Sequence, residues 1–108
     1  MRYTINDREV SEEEWDSSLE DGVYRTYDNG QVVSEFLYKG GKKHGVVRHW
    51  YGNGQIEREH PYRDGKHHGT SKEWDYEGNL TYEHIYYNGK RVPVNNELVR
   101  AVLFGEIV

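Results

Sequence analysis

The sequence predicts a mainly β fold, an antiparallel meander of stacked hairpins with a short helix at each end. Three observations lead to this prediction. Residues 22–90 repeat with a period of about 24 residues, each unit carries two glycine-based turn signals, and the stretches between the turns are rich in aromatic and β-branched residues. A chain of 108 residues is long enough for one domain, which we expect to span 1–108.

Five columns of the repeat hold the same residue three times. They are Gly30/Gly54/Gly78, Glu35/Glu59/Glu83, Tyr38/Tyr62/Tyr86, Gly41/Gly65/Gly89 and Lys42/Lys66/Lys90. The glycine equivalent to Gly45 in the first unit is Gly22, one residue away from the position that the period sets. The first unit has therefore lost a residue, which is typical of a terminal capping repeat.

Pairs such as Asn-Gly and Asp-Gly between aromatic runs mark hairpins, because glycine supplies the positive φ that such turns require. We expect six antiparallel strands at about 22–28, 31–39, 45–51, 55–63, 69–76 and 80–88. Alternation along a strand places the apolar column and the tyrosine column on one face with Phe36, His60 and His84, and the glutamate column on the other. The apolar column is Val32/Ile56/Leu80.

Two registers stay open for these hairpins. A three-residue loop ending at glycine pairs Trp50 with Ile56, and Trp74 with Leu80. A two-residue turn pairs Tyr51 with Ile56, Arg48 with Glu59, and Lys72 with Glu83.

The two ends of the chain lie outside the repeat. At residues 1–21, a short hairpin around Asn6-Asp7 precedes a capping box that begins at Ser11, and a helix at about 11–20 is expected to dock through Trp15 and Leu19. At residues 91–108, Pro93 ends the last strand and a second helix is expected near 97–104. This second helix is predicted to cover the sheet edge or, alternatively, to serve dimerisation or partner binding.

The charge is distributed unevenly. The net charge is −5, and residues 12–21 hold six acids with no Lys or Arg, whereas the rest of the chain has 13 acids and 14 bases. Such a segment repels nucleic acid and anionic membranes and attracts a basic protein surface. The alternative interpretation is a solvated helix face that keeps the protein soluble.

The residue types argue against catalysis. Absence of cysteine excludes a thiolate zinc site and a cysteine nucleophile, and is expected of a reducing compartment. Four of the six histidines recur with the repeat, so packing explains them more simply than a metal site, and the glutamate column is expected to form cross-strand ion pairs. We therefore expect no enzyme and no cofactor, although a hydrolase or metal-dependent enzyme built on the histidines stays an alternative. The amino-terminal residues lack the apolar stretch of a signal peptide, and a cytoplasmic location is expected.

The unit that begins at His44 has a characteristic order: Gly45, Trp50-Tyr51, Asn53-Gly54-Gln55, Ile56, Glu59, Tyr62 and Asp64-Gly65-Lys66. It resembles the MORN repeat variant, in particular bacterial YwqK-type antitoxins, and the resemblance covers about residues 22–90. It implies a sheet of stacked MORN-like hairpins that binds proteins rather than catalysing a reaction, as in members that act as immunity proteins against toxins. The matched glycines, tryptophans and tyrosines are structural in this family.

These features together predict an immunity or antitoxin protein that neutralises a basic, nuclease-like toxin by direct binding and occlusion. The alternative is a MORN-repeat scaffold, or a phage or host regulator, that binds a peptide or protein without neutralising a toxin. Acidic residues would steer association, and exposed aromatic residues would anchor the partner. The predicted partner-binding residues are Glu12, Glu13, Glu14, Asp16, Glu20, Trp50, Tyr51 and Trp74. We expect no nucleic-acid or membrane partner, and either a monomer or a homodimer formed through the C-terminal helix.

Overall fold

A computed structural model of the protein describes residues 1–92. These residues form one antiparallel sheet and one short helix. The elements are β1 (Arg2–Ile5), β2 (Arg8–Val10), α1 (Glu12–Ser17), β3 (Gly22–Asp28), β4 (Gln31–Lys39), β5 (Lys42–Trp50), β6 (Ile56–Arg63), β7 (Lys66–His67), β8 (Gly69–Trp74), β9 (Leu80–Tyr87) and β10 (Lys90–Val92). The helix expected near 97–104, and the covering or dimerisation role predicted for it, fall outside the described residues.

The strands follow each other across the sheet as a meander. Their spatial order is β10-β9-β8-β6-β5-β4-β3-β1-β2, and β7 pairs with the end of β6. The mainly β, antiparallel fold is thus confirmed, and the six predicted strands match the observed bounds to within three residues. The turns agree with the glycine signals: Asp64 and Gly65, for example, both have positive φ (51° and 81°) between β6 and β7, as a two-residue hairpin turn requires.

A β-bulge combines parts of the two registers that the sequence left open. Trp50 pairs with Ile56 across a three-residue loop, yet Arg48 still pairs with Glu59, because the register shifts between His49 and Trp50. The same shift recurs between β8 and β9, where Trp74 pairs with Leu80 and Lys72 with Glu83. In such a bulge two residues of one strand oppose a single residue of the other.

The bulge corrects the predicted faces. His49 opposes Arg58, whereas the next residue, Trp50, opposes Ile56. Since Trp50 follows His49 along the strand, its side chain points to the other side of the sheet. The side chain of its partner Ile56 points to that same side. Ile56 therefore lies opposite to the face of His60, and placing both on one face was wrong. The prediction assumed that side chains alternate strictly between the two faces, which leaves no place for the extra residue of a bulge.

The first hairpin shows where its missing residue was lost. Asp28 pairs with Gln31 across a two-residue turn, in which Asn29 and Gly30 have φ of 51° and 79°. The later units have a three-residue loop at this place. The deletion inferred from the repeat therefore falls in the turn and leaves the strands on either side aligned with the later units.

We call the side of the sheet that carries α1 the helix face, defined by Tyr24, Phe36, Val47 and His60. The other side carries a row of alternating charges and is called the ladder face, defined by Glu35, Arg48, Glu59 and Lys72. Its contacts are Asp7–Arg25 (2.9 Å), Arg25–Glu35 (2.8 Å), Glu35–Arg48 (3.7 Å), Arg48–Glu59 (2.9 Å) and Lys72–Glu83 (3.8 Å). The predicted cross-strand ion pairing of the glutamate column is confirmed, with Arg25 as an additional member.

The main apolar cluster lies at the N-terminal end of the helix face. Ile5 and Tyr24 are fully buried there with Val10, and Trp15 and Phe36 pack against them. The Trp15 ring lies 5.6 Å from Tyr3, 6.1 Å from Tyr24 and 5.2 Å from Phe36 between centroids. One tryptophan thus attaches the helix to three strands of the sheet.

The helix is shorter than the expected 11–20. Ser11 caps it as predicted, since its Oγ accepts a hydrogen bond from the Glu14 backbone (3.1 Å). It ends at Ser17 because the buried Tyr24 hydroxyl bonds to Ser18 Oγ (2.9 Å) and donates to the Glu20 carbonyl (2.8 Å), which holds the following residues in an extended conformation. Leu19 is 68% exposed, so the expectation that it docks α1 was wrong.

Candidate partner-binding surface

A cleft opens where α1 meets the helix face. Its volume is about 300 Å³, and Trp15 and Asp16 of α1 form one side. The sheet supplies the floor and the other side through Phe36, Tyr38, Lys43, Val47 and His49. Aromatic and aliphatic walls with a few polar groups are typical of surfaces that accept a side chain of a ligand or partner.

The acidic segment reaches this cleft through Asp16. Glu12, Glu13 and Asp16 are exposed, and within residues 1–92 they form no ion pair. Glu14 and Glu20 are also exposed, but both bind the Arg8 guanidinium, at 3.0 and 2.9 Å. The charge available to a partner is therefore concentrated on three of the five predicted acids.

The predicted aromatic anchors lie elsewhere. Trp50 and Trp74 are half-buried at the ends of β5 and β8, and the bulge places them on the ladder face, opposite to α1. Tyr51 follows β5, donates a hydrogen bond to the Trp74 carbonyl (2.8 Å) and stacks edge-on against Tyr76 at 5.3 Å. Burial and neighbouring carboxylates raise the pKa of its hydroxyl. The structure thus does not bring the two tryptophans together with the acidic helix.

Beyond the cleft, the helix face carries a group of aromatic rings that we call the histidine–tyrosine patch. It consists of His60, Tyr62, His67, Tyr82, His84 and Tyr86. The Tyr62 hydroxyl lies 3.1 Å from His67 Nε2, and the Tyr82 and Tyr86 hydroxyls lie 2.6 Å apart. His60 contacts the Glu73 carboxylate at 2.9 Å and stacks parallel to Tyr82 at 6.2 Å. The patch is therefore an ordered network of polar and aromatic contacts.

Burial and nearby cations control the protonation of this face. Burial, Arg58 and Lys43 lower the pKa of His49, and burial with His60 and Lys43 lowers that of His67. The hydrogen bond to Tyr86 and burial raise the pKa of the Tyr82 hydroxyl to about 12. At neutral pH these two imidazoles are therefore neutral and the Tyr82 phenol is protonated, so these three side chains provide hydrogen-bond donors and acceptors that carry no charge.

No group of three or more His, Cys, Asp or Glu side chains within residues 1–92 is arranged to hold a metal ion. Across the same residues, no helix combines the length and apolar character that crossing a membrane would need.

Sequence reasoning missed the sheet side of the cleft. From the sequence, Phe36 and Tyr38 were placed only on the apolar face of the sheet, and Lys43, Val47 and His49 were not singled out. Their spacing of two residues along β4 and β5 could have indicated that they share one face of the sheet. The position of α1 over these strands could not be predicted, because it depends on the register of the N-terminal hairpin.

One repeat unit has a recognisable relative among known families. Residues 43–64, which span most of β5, the loop and all of β6, match the MORN repeat variant family. No curated protein and no solved structure matches the chain. The central hairpin is thus similar to a MORN repeat variant, a type of repeat that suggests a protein-binding module, while the narrower resemblance to YwqK-type antitoxins stays a prediction.

Proposed function

We propose that this protein is a non-enzymatic, cytoplasmic binding module of the immunity type, which neutralises a basic, nuclease-like toxin domain by occluding it. The observation that carries the proposal is that Asp16 lines an aromatic cleft and that the exposed acids Glu12 and Glu13 lie on the same short helix. The similarity of residues 43–64 to a MORN repeat variant supports protein binding.

The acids and the cleft contribute to different steps. Exposed charges at a rim act over a distance, so they accelerate encounter with a basic surface and make its rate sensitive to salt. An apolar cleft acts only in contact, so it slows dissociation by burying a side chain of the partner. A nuclease domain, which binds phosphates with Lys and Arg, presents the complementary charge.

The experiment begins with the products of neighbouring genes, co-expressed with the tagged protein and recovered at low and high salt. We expect one product that binds one-to-one and is released by salt. Its nucleic-acid-cleaving or modifying activity should fall in proportion to the added protein. A recovered product whose activity is unchanged by saturating protein would contradict neutralisation and favour the scaffold alternative.

Charge variants then test the role of α1. The double variant Glu12→Gln/Glu13→Gln should slow association several-fold and flatten its salt dependence, with little change in the dissociation rate. The double variant Asp28→Asn/Glu77→Gln is a matched control, because it removes the same charge from exposed acids outside α1. Glu14 and Glu20 are left intact, since their loss would also free Arg8. Equal effects of the two double variants would refute specific steering by α1.

A further inference from the structure

The helix face has two unlike halves. Among the described residues, one half carries α1 above the strands, whereas the other half, which holds the histidine–tyrosine patch, carries no helix. The protein measures 45 × 36 × 20 Å, and its thickness fits one sheet plus one helix of about 10 Å diameter. Within residues 1–92, α1 is the only helix, so the described elements give the face a ridge beside an open floor.

The charges of the two halves are opposite. The ridge carries Glu12, Glu13 and Asp16, which form no ion pair within residues 1–92. Lys43 lies at the border between ridge and floor, where its Nζ is 5.3 Å from the centre of the Phe36 ring and 5.5 Å from that of Tyr62, and Arg91 lies on the floor, paired across strands with Tyr86. Neither of these two cations forms an ion pair within the described residues.

The carboxylates of the floor already have partners. Glu57 lies 3.8 Å from Arg58, and Glu73 lies 2.9 Å from His60. Arg58 and His60 thus each have a carboxylate partner, which leaves Lys43 and Arg91 as cations that form no ion pair within residues 1–92 and can bind an acidic group.

We propose that a second copy of this chain docks on the histidine–tyrosine patch through its acidic helix α1, and that the arrangement is two-fold symmetric. Rotation about an axis between ridge and floor places each ridge on the floor of the other copy, so both contacts form at once. Glu12 and Glu13 of each copy then lie over the floor of the other, between Lys43 on β5 and Arg91 on β10. Because the described residues form a single sheet, the pair also gives each helix face a second layer, against which its aromatic side chains are buried.

The size of the face suits such a pair. A face of 45 by 36 Å can contribute the roughly 800 Å² per partner that stable interfaces bury. Tyrosine, which makes up half of the histidine–tyrosine patch, is enriched at interface centres because it provides contact area together with a polar group. The inference does not depend on the proposed toxin partner, although both would use α1 and would exclude each other.

A charge-swap experiment tests the proposal with the purified full chain alone. Analytical ultracentrifugation over a concentration series should show a dimer for the natural sequence. The variants Glu12→Lys/Glu13→Lys and Lys43→Glu/Arg91→Glu should each dimerise at least about tenfold more weakly, because like charges then meet across the axis. An equimolar mixture of the two should regain the dimer, since each altered ridge then meets an altered floor, and this recovery also shows that both variants are folded.

The control Lys39→Glu/Lys66→Glu changes the same charge at exposed positions at turns and should dimerise like the natural sequence. A monomer at all concentrations would overturn the proposal. So would a dimer that both charge variants leave unchanged, which would favour self-association through another part of the chain. Weakening by both variants without recovery on mixing would equally contradict the two-fold contact.

Discussion

Because a single side chain, Trp15, docks α1 on the sheet, the loss of stability on its removal can be predicted. The substitution Trp15→Ala removes the ring that contacts Tyr3, Tyr24 and Phe36 at centroid distances of 5.2 to 6.1 Å. Replacing a core tryptophan by alanine costs about 3–5 kcal/mol, and each aromatic pair contributes about 0.5–1.5 kcal/mol beyond its buried area. Because Trp15 is only half-buried, we expect a loss of about 3 kcal/mol in the free energy of unfolding.

The loss should include the helix itself. A helix of six residues is unstable in water without tertiary contacts, so Trp15→Ala should release α1 and expose the sheet residues that line the cleft. Urea-induced unfolding followed by far-UV circular dichroism gives the free energy, and the matched control is Leu19→Ala. Since Leu19 is 68% exposed, its replacement should cost less than about 0.5 kcal/mol. Similar losses for the two variants, or a loss below about 1 kcal/mol for Trp15→Ala, would refute the described docking.

Two further predictions concern the backbone and the histidines. Gly69→Ala should destabilise the protein by about 2 kcal/mol, because φ is +119° there and a Cβ would lie 2.8 Å from Pro61 Cγ, whereas Gly52→Ala, with open space around it, should be nearly neutral in the same urea assay. Because the pKa values of His49 and His67 are lowered from 6.5 on folding, the unfolded chain binds protons more readily, so stability is full above pH 6.5 and falls as the pH drops below it. The variant His67→Gln should flatten this fall between pH 6.5 and 5, and an unchanged slope would contradict burial of that imidazole.

The order of strands could be predicted from the sequence because glycine-containing turns mark where one strand ends and the next begins. Asn29-Gly30, Asp64-Gly65 and Asn88-Gly89 adopt positive φ at both positions, a conformation that few residue pairs accept. A repeat of such pairs fixes where each strand begins and ends. The mainly β meander therefore followed from local backbone chemistry.

The register could not be predicted, because bulges depend on how neighbouring strands fit. At the β5–β6 hairpin, the bulge satisfies both the Trp50–Ile56 pair and the Arg48–Glu59 pair, which the two simple turns treat as alternatives. The bulge also separates Ile56 from the face of His60. The single residue that the bulge leaves without a cross-strand partner thus determines which side chains share a face of the sheet.

The candidate surface was only partly accessible from the sequence. The acids of α1 could be recognised in the sequence as a run of acidic residues. The pairing of Glu14 and Glu20 with Arg8 could not, because it depends on the fold of the N-terminal hairpin. The end of the helix was missed because it is set by the Tyr24 hydroxyl, a contact from another strand. Side-chain contacts between distant segments are the part that residue patterns do not specify.

The most direct test of the partner-binding surface is hydrogen–deuterium exchange of the protein alone and in complex with the recovered partner. The amides of α1 should exchange rapidly in the free protein, since so short a helix opens easily, and should become protected in the complex together with β4 and β5 beside the cleft. The loop at residues 52–54 serves as an internal reference that should not change. Protection confined to that loop or to β9 and β10, with α1 still exchanging freely, would contradict the assignment of this surface.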